Sequence, residues 1–300
     1  MQDLLPDWFV LGFAFVLGAI FGSFASVVVG RFPVREVEQE RRRPGARNVV
    51  PAIGRISELW PHLGGRSRCP SCGAQLGAIE NVPIVGYLLL RGRCRHCGRA
   101  ISIRYPMLEL VTGVLFAFSF ARFEVSLQAA VYCFFFWVVV VLSAIDIDHH
   151  LLPNAIVYPA VVTGAVVLVL DALLEGAPGR LRSAALGALI FAGFLFVLAF
   201  VYPAGMGFGD VKLAVLLGMF LGYSGGAGVV PVGMFLAFLA GALGGVIEAA
   251  IRKRSTPPDE ATPNVKFRKT LVPFGPYLVA GTIVAIVWGE QILDWYLGLA

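Results

Sequence analysis

Eight apolar segments recur along the chain of 300 residues, and they constrain its fold more than any other feature. A membrane-spanning helix needs roughly 20 predominantly apolar residues. With 58% hydrophobic and 14% charged residues, the chain also lies far from the average for soluble domains. We therefore predict an all-α polytopic membrane protein with about eight transmembrane helices. The predicted spans are 7–30, 106–121, 127–145, 155–173, 184–202, 211–223, 229–251 and 274–297, of which 211–223 is the shortest.

Basic residues are distributed unevenly between the connecting loops. Residues 31–104 contain 14 arginines against five glutamates, and residues 252–269 add six basic residues. Because cytoplasmic loops hold the excess of Lys and Arg, both loops are expected in the cytoplasm. Threading eight spans then places these 20 residues and Lys212, 21 in all, on the cytoplasmic side against three on the other, where both termini lie. The basic loops fit contact with anionic lipid head groups, and no nucleic-acid partner is expected.

Two aspartates stand at the ends of apolar segments. Asp146 closes the third span in Ser143-Ala-Ile-Asp-Ile-Asp-His-His-Leu-Leu-Pro153, and Asp210 opens the sixth in Gly205-Met-Gly-Phe-Gly-Asp-Val-Lys212. A carboxylate beside hydrocarbon is costly and is a candidate functional group. The span count puts both on the cytoplasmic side, so they can meet. For either aspartate alone, a solvated loop residue is the alternative; Asp148 would face another side of a continued helix.

Glycines surround the second aspartate. Gly207 and Gly209, with Gly205 before them, allow backbone torsions and close approaches that a β-carbon would hinder. We therefore expect Gly207 and Gly209 to support an active-site loop that a substrate strand can approach. The alternative is a glycine-rich helix entry or close helix packing, which is common in membranes.

Four cysteines form two pairs with metal-binding spacing. Cys69-x-x-Cys72 and Cys94-x-x-Cys97 are separated by 21 residues. In a cytoplasmic loop, where thiols stay reduced, this pattern predicts a structural zinc site in a small ribbon-like insertion between the first two spans. Unmetallated or redox-active thiol pairs are the alternative. Cys133 lies within the third span and is assigned to packing.

A series of further motifs accompanies the aspartates and cysteines in a fixed order. The series resembles that of bacterial type IV prepilin peptidases, the leader peptidases that process type IV pilins and type II secretion pseudopilins. Ser26 departs from it, because the family usually has an asparagine there. The motifs are Gly22-Ser-Phe-Ala-Ser-Val-Val-Val-Gly-Arg31-Phe-Pro, Arg68-Cys-Pro-Ser-Cys72, Asn81-Val-Pro-Ile-Val-Gly-Tyr87, Gly92-Arg-Cys-Arg-His-Cys-Gly98, Ile101-Ser-Ile-Arg-Tyr-Pro-Met-Leu-Glu109 and, after the aspartates, Val272-Pro-Phe-Gly-Pro276.

This resemblance implies an aspartic endopeptidase of the Gly-x-Gly-Asp kind in the bacterial inner membrane, with Asp146 and Asp210 as the catalytic pair and periplasmic termini. Its substrates would be prepilins and pseudopilins, whose basic leader is cleaved at the cytoplasmic membrane face. The resemblance also implies N-methylation of the new N-terminus by S-adenosylmethionine, although the loop lacks a Rossmann glycine fingerprint. From another class, a proton- or cation-coupled transporter using the two aspartates is the alternative.

The expected domain organisation has three parts. Residues 1–30 form the first transmembrane helix, which has no basic residue before it and is interpreted as permanent rather than as a cleaved signal. Residues 31–105 form the cytoplasmic basic loop with the zinc site. Residues 106–300 form a peptidase core of about seven helices with a cytoplasmic loop at 252–272.

Overall fold

Helices account for nearly all of the regular structure. The structure, a computed structural model, describes residues 6–31, 67–202, 206–255 and 273–298. Gly205 and parts of the two predicted basic loops, residues 32–66 and 256–272, lie outside the described residues. In the described part, the α-helices are α1 (Asp7–Arg31), α2 (Val85–Leu89), α3 (Arg104–Phe123), α4 (Leu127–His149), α5 (Asn154–Leu174), α6 (Gly179–Val201), α7 (Phe208–Gly225), α8 (Val230–Ser255) and α9 (Gly275–Leu297).

The predicted spans are confirmed as helices. All of these helices except α2 are long and apolar enough to cross a membrane, and α7, with 18 residues, is the shortest of the eight. The bounds differ most for α6, which begins at Gly179 rather than at residue 184, and at the ends of α4 and α8, which each continue four residues further than predicted. α4 continues past residue 145 to His149, and the N–H of His150 still donates to the carbonyl of Asp146 at 2.8 Å. Backbone hydrogen bonding therefore continues beyond the point where hydropathy falls.

The described chain divides into two compact units. The first contains the described residues up to Ala144 together with Pro153–Ile156. The second contains Ile145–Leu152 and the described residues from Val157 onward. α4 and α5 each contribute residues to both units, so a unit boundary is not a helix boundary.

Within the first unit, α1 and α3 touch backbone to backbone. A Cβ at Gly18 would lie 2.7 Å from the carbonyl oxygen of Thr112, and a Cβ at Gly22 would lie 2.6 Å from the Cα of Glu109. In lipid, the hydrophobic effect does not drive helices together, so membrane helices associate through close packing at such small residues. Any larger residue at either glycine would force the two helices apart.

Within the second unit, α6 and α7 pack in the same way. A Cβ at Gly187 of α6 would collide with the carbonyl oxygen of Gly218, and a Cβ at Gly218 would collide with that of Gly187. One turn further along α7, Gly222 meets the carbonyl of Ser183. This contact fixes α7 against α6, and with it the first turn of α7, which carries Asp210.

A buried polar cluster holds the other end of α7. The hydroxyl of Tyr223 donates a hydrogen bond of 2.6 Å to Oδ2 of Asp171 on α5, and both side chains are buried. The guanidinium of Arg180 on α6 lies 5.8 Å from the centre of the Tyr223 ring. A buried carboxylate is costly without a partner, and Tyr223 provides that partner for Asp171. Together with Arg180, these contacts link α5, α6 and α7 at this end.

The α6–α7 contact can be tested with a matched pair of glycines on α6. Gly187→Ala places a Cβ against the carbonyl of Gly218, whereas Gly193→Ala adds a Cβ with no other atom within 4 Å. Overpacking of this kind should lower the free energy of unfolding by about 1–3 kcal/mol. Thermal unfolding in detergent micelles should therefore show a lower midpoint for Gly187→Ala only. Equal midpoints for the two variants would show that this contact does not hold the helices.

Candidate active site

Asp146 lies in the last turn of α4 and is buried. The whole residue is only 5% exposed, although α4 ends three positions later. Oδ2 accepts a hydrogen bond of 3.0 Å from the backbone N–H of Gly275, the first residue of α9. Because the helix N-terminus has unpaired N–H groups, α9 can supply this donor without breaking a backbone bond.

Gly275 has no room for a side chain. A Cβ there would lie 2.7 Å from Oδ2 of Asp146 and 3.6 Å from Cδ2 of Leu213 on α7. The start of α9 therefore packs between Asp146 on α4 and Leu213 on α7. The sequence does not indicate this role, because Gly275 stands out there only as part of the motif Val272–Pro276.

Asp210 lies in the first turn of α7 and is 9% exposed. The helix begins after Gly207, whose backbone is extended at φ −82° and ψ 146° and interacts with the carboxylate. Neither Gly207 nor Gly209 adopts a positive φ. Gly209 instead needs its small size, because a Cβ there would lie 3.2 Å from the Cβ of Leu152. Leu152 belongs to the short connection that follows the Asp146 helix.

The structure brings the two predicted aspartates together. Both belong to the second unit, and their carboxyl groups are close enough for their charges to interact directly. Asp148 also remains helical, but it is exposed, as the helical spacing predicts. His150, just beyond the helix, lies near enough to act electrostatically on Asp146. The result is a buried pair of carboxyl groups, one at a helix C-terminus and one at a helix N-terminus.

The four cysteines form a separate cluster in the first unit. Their sulfur atoms all lie within 4.8 Å of one another, and Cys69 Sγ is 3.9 Å from Cys97 Sγ. Two similar turns build the cluster. The N–H groups of Gly73 and Gly98 donate to the carbonyls of Cys69 and Cys94, each at 2.9 Å.

Both turn glycines have a positive φ, 72° for Gly73 and 68° for Gly98, which a residue with a β-carbon adopts only with strain. The turns are therefore built to close each Cys-x-x-Cys pair.

The spacing of the sulfurs fits a tetrahedral metal ion. With metal–sulfur bonds of about 2.3 Å, two sulfurs of such a site are about 3.8 Å apart, whereas a disulfide has an S–S distance of about 2.0 Å. Hydrogen bonds from the backbone of Cys72 and Ser71 lower the pKa of the Cys69 thiol to about 6. The cluster can hold one metal ion.

Metal content gives a direct test of the cysteine cluster. The purified protein should contain about one metal ion per chain, measured by elemental analysis. Cys94→Ser removes one ligand and should release most of the metal, while Cys133→Ser, a buried cysteine in α4 outside the cluster, should retain it. Equal metal content in the two variants would contradict the assignment.

Two family models match the chain. Residues 16–123 match the bacterial peptidase A24 N-terminal domain, and residues 133–247 match the type IV leader peptidase family. The second match contains both aspartates and the first contains all four cysteines of the cluster. No solved structure gives a significant match.

Several curated relatives are similar over nearly their whole length, and each is named prepilin leader peptidase/N-methyltransferase. The chain is 35% identical to the protein of Stutzerimonas stutzeri over 96% of this chain and 93% of the relative. It is 36% identical to that of Burkholderia pseudomallei, over 95% and 87% respectively. For that of Aeromonas hydrophila the identity is 33%, over 97% and 94%. None of these matches supports the alternative of a transporter. The chain belongs to the type IV leader peptidase family.

Proposed function

We propose that this multi-pass membrane protein is an aspartic endopeptidase that removes the basic leader peptide from type IV prepilins and type II secretion pseudopilins. The observation that carries the proposal is the buried, electrostatically interacting pair of Asp146, in the last turn of α4, and Asp210, in the first turn of α7. Family membership supports the substrate class, because the relatives named above are prepilin leader peptidases.

The pair supplies the two groups that peptide hydrolysis requires. One carboxylate accepts a proton from a water molecule, which then attacks the carbonyl carbon of the scissile bond. The protonated partner donates to the carbonyl oxygen and later to the leaving amine. Two buried carboxyl groups whose charges interact do not both ionise readily, so one can act as the acid while the other acts as the base. The N–H of Gly275 fixes the orientation of Asp146 during these steps.

The proposed orientation places this chemistry at the cytoplasmic face of the inner membrane. It rests on the excess of basic residues in 31–104 and 252–269, which also suit anionic lipid head groups. With eight spans, both termini are then periplasmic. Leader peptides emerge from the cytoplasm, so substrate and site lie on the same side.

Two further groups complete the proposal. Zinc is the metal of the four-cysteine cluster, because four thiolates in tetrahedral array favour it and leave no open position for catalysis. S-adenosylmethionine is the methyl donor for the N-terminus that cleavage creates, as the names of the relatives suggest. In domain terms, 31–105 is the zinc-bearing loop and 106–300 the peptidase core.

The catalytic pair is tested by replacing each aspartate separately. Asp146→Asn and Asp210→Asn keep the size of the side chain but remove its proton chemistry, so each should lower the rate of leader cleavage at least about 100-fold. Cleavage of a prepilin in membranes measures this. Asp148→Asn, which changes an exposed carboxylate two residues away, should cleave at the wild-type rate. Full activity in either of the first two variants would refute the assignment.

The positioning role of Gly275 gives a second test. Gly275→Ala forces the Asp146 carboxylate to move, because the new Cβ would lie 2.7 Å from its Oδ2. A displacement of this size should lower kcat about 10- to 100-fold with KM little changed. Gly193→Ala on α6, with open space around its Cβ, is the control. A normal kcat in Gly275→Ala at an unchanged unfolding midpoint would show that the hydrogen bond is dispensable.

A further inference from the structure

The first turn of α9, which supplies the N–H donor to Asp146, carries an aromatic residue on each side of that donor. Phe274 directly precedes Gly275, and Tyr277 follows it by two positions. The N–H groups of Tyr277 and Leu278 both donate to the carbonyl of Phe274 at 3.1 Å. These bonds close one helical turn around the donor, so a displacement of either aromatic ring also displaces the Gly275 N–H.

Both aromatic rings lie against glycines of α8. A Cβ at Gly241 would lie 2.8 Å from Cε2 of Phe274, and a Cβ at Gly244 would collide with the hydroxyl oxygen and Cζ of Tyr277. Residues three apart on a helix lie on the same face, so Gly241 and Gly244 form one surface, the glycine seat of α8. Each ring occupies the place that a larger side chain of α8 would take.

A third aromatic residue contacts the ring of Phe274. Phe238, which lies one turn before Gly241 on α8, has its ring centre 5.3 Å from that of Phe274. Phe238 also packs against Phe194 of α6, with the ring centres 5.7 Å apart and the planes at 84°. Aromatic pairs prefer defined arrangements of this kind. The position of the Phe274 ring is therefore set from two sides, by the glycine seat and by Phe238.

The rest of α8 does not require small residues at this level. α8 is the least buried of the eight long apolar helices in the described chain. Leu243 and Val246, two large residues beside the seat, are 57% and 69% exposed. A Cβ at Gly245 would meet no other atom within 4 Å, in contrast to one at Gly241 or Gly244. The rings of α9, and not general packing of α8, are therefore what the glycine seat accommodates.

We propose that Gly241 and Gly244, the glycine seat of α8, are positioning residues for the catalytic carboxyl group of Asp146. By holding the two rings of α9, the seat fixes the place of the Gly275 N–H, which donates to Oδ2 of Asp146 at 3.0 Å. The inference rests on the proposed peptidase function and extends its machinery to a helix that carries neither aspartate. Because a small misplacement of a catalytic group lowers the rate steeply, the seat acts on kcat.

Leader cleavage by the full-length protein in lipid nanodiscs tests the glycine seat. Gly244→Ala forces the Tyr277 ring to move, whereas Gly245→Ala, one residue further along α8, adds a Cβ in open space. Displacement of the Gly275 N–H should lower kcat about tenfold or more in Gly244→Ala, with KM within about twofold of wild type. Gly245→Ala should keep the wild-type kcat. Equal kcat values in the two variants would overturn the inference.

A double-mutant cycle shows whether the seat acts through Gly275. Gly275→Ala already forces the Asp146 carboxylate away from its donor. Adding Gly244→Ala to Gly275→Ala should therefore lower kcat by less than about twofold more, because the two changes act on one contact. Independent changes would instead multiply their separate effects on kcat. A kcat that falls by the product of the two separate reductions would contradict the inference, as would a normal kcat in Gly275→Ala alone.

A compensating pair of variants remains informative if Gly244→Ala fails to fold, which its unfolding midpoint would reveal. Gly241→Ala places a Cβ against Cε2 of Phe274, and Phe274→Leu removes that carbon. The double variant should therefore have a kcat about threefold or more above that of Gly241→Ala. Absence of any recovery would show that Gly241 does not act through the Phe274 ring.

The aspartate variants separate this inference from the function on which it rests. Normal cleavage by Asp146→Asn and Asp210→Asn would refute the peptidase assignment, and the seat would then have no catalytic group to position. If both aspartate variants are inactive while Gly244→Ala cleaves like Gly245→Ala, the inference fails and the peptidase assignment stands. Inactive aspartate variants together with a reduced kcat in Gly244→Ala alone would support both.

Discussion

Close approach of helix backbones at glycine is the interaction on which the rest of this molecule depends. In hydrocarbon, helices gain little free energy by burying apolar side chains between them, so they associate through close packing and polar contacts. Gly22 brings α1 against the backbone of Glu109 itself, and Gly187 and Gly218 bring α6 against α7. Each contact also sets the position of an acidic side chain, Glu109 in one unit and Asp210 in the other. The packing of the helices therefore also determines where these acidic side chains lie.

Three of the four buried carboxylates in the described part of the chain are held by a donor from a distant segment. The pairs are Asp146 with the N–H of Gly275, Glu109 with the N–H of Ile84, and Asp171 with the hydroxyl of Tyr223. A backbone N–H cannot rotate away from its acceptor, so in the first two pairs it fixes the direction of the carboxyl group as well as offsetting part of its desolvation. The third pair joins two side chains and serves helix packing. A backbone donor therefore orients Asp146 and Glu109, whereas a side-chain donor holds Asp171.

The sequence alone predicted the number of spans, the cysteine cluster and the two aspartates, because hydropathy and ligand spacing are local properties. It could not predict that Gly275 would contact Asp146, which lies 129 positions earlier, since a motif gives order along the chain and not contact in space. The end of α4 was predicted too early, because hydropathy falls before the helical hydrogen bonds stop. The positive φ of Ile84, 62°, was also unpredictable, since an isoleucine is among the residues least suited to it.

The position of the cysteine cluster in the chain has a consequence for how the protein responds to metal loss. The cluster lies in the long connection between α1 and α3, yet these two helices already touch at Gly18 and Gly22 without it. The ends of the connection are therefore held together by the bundle, and a metal ion bound by the four cysteines would close only the smaller loop between Cys69 and Cys97. Since the entropy of loop closure grows with loop length, chelation should melt this module as a local unfolding event. The helices would stay assembled, so the chain could lose and regain its metal while remaining in the membrane.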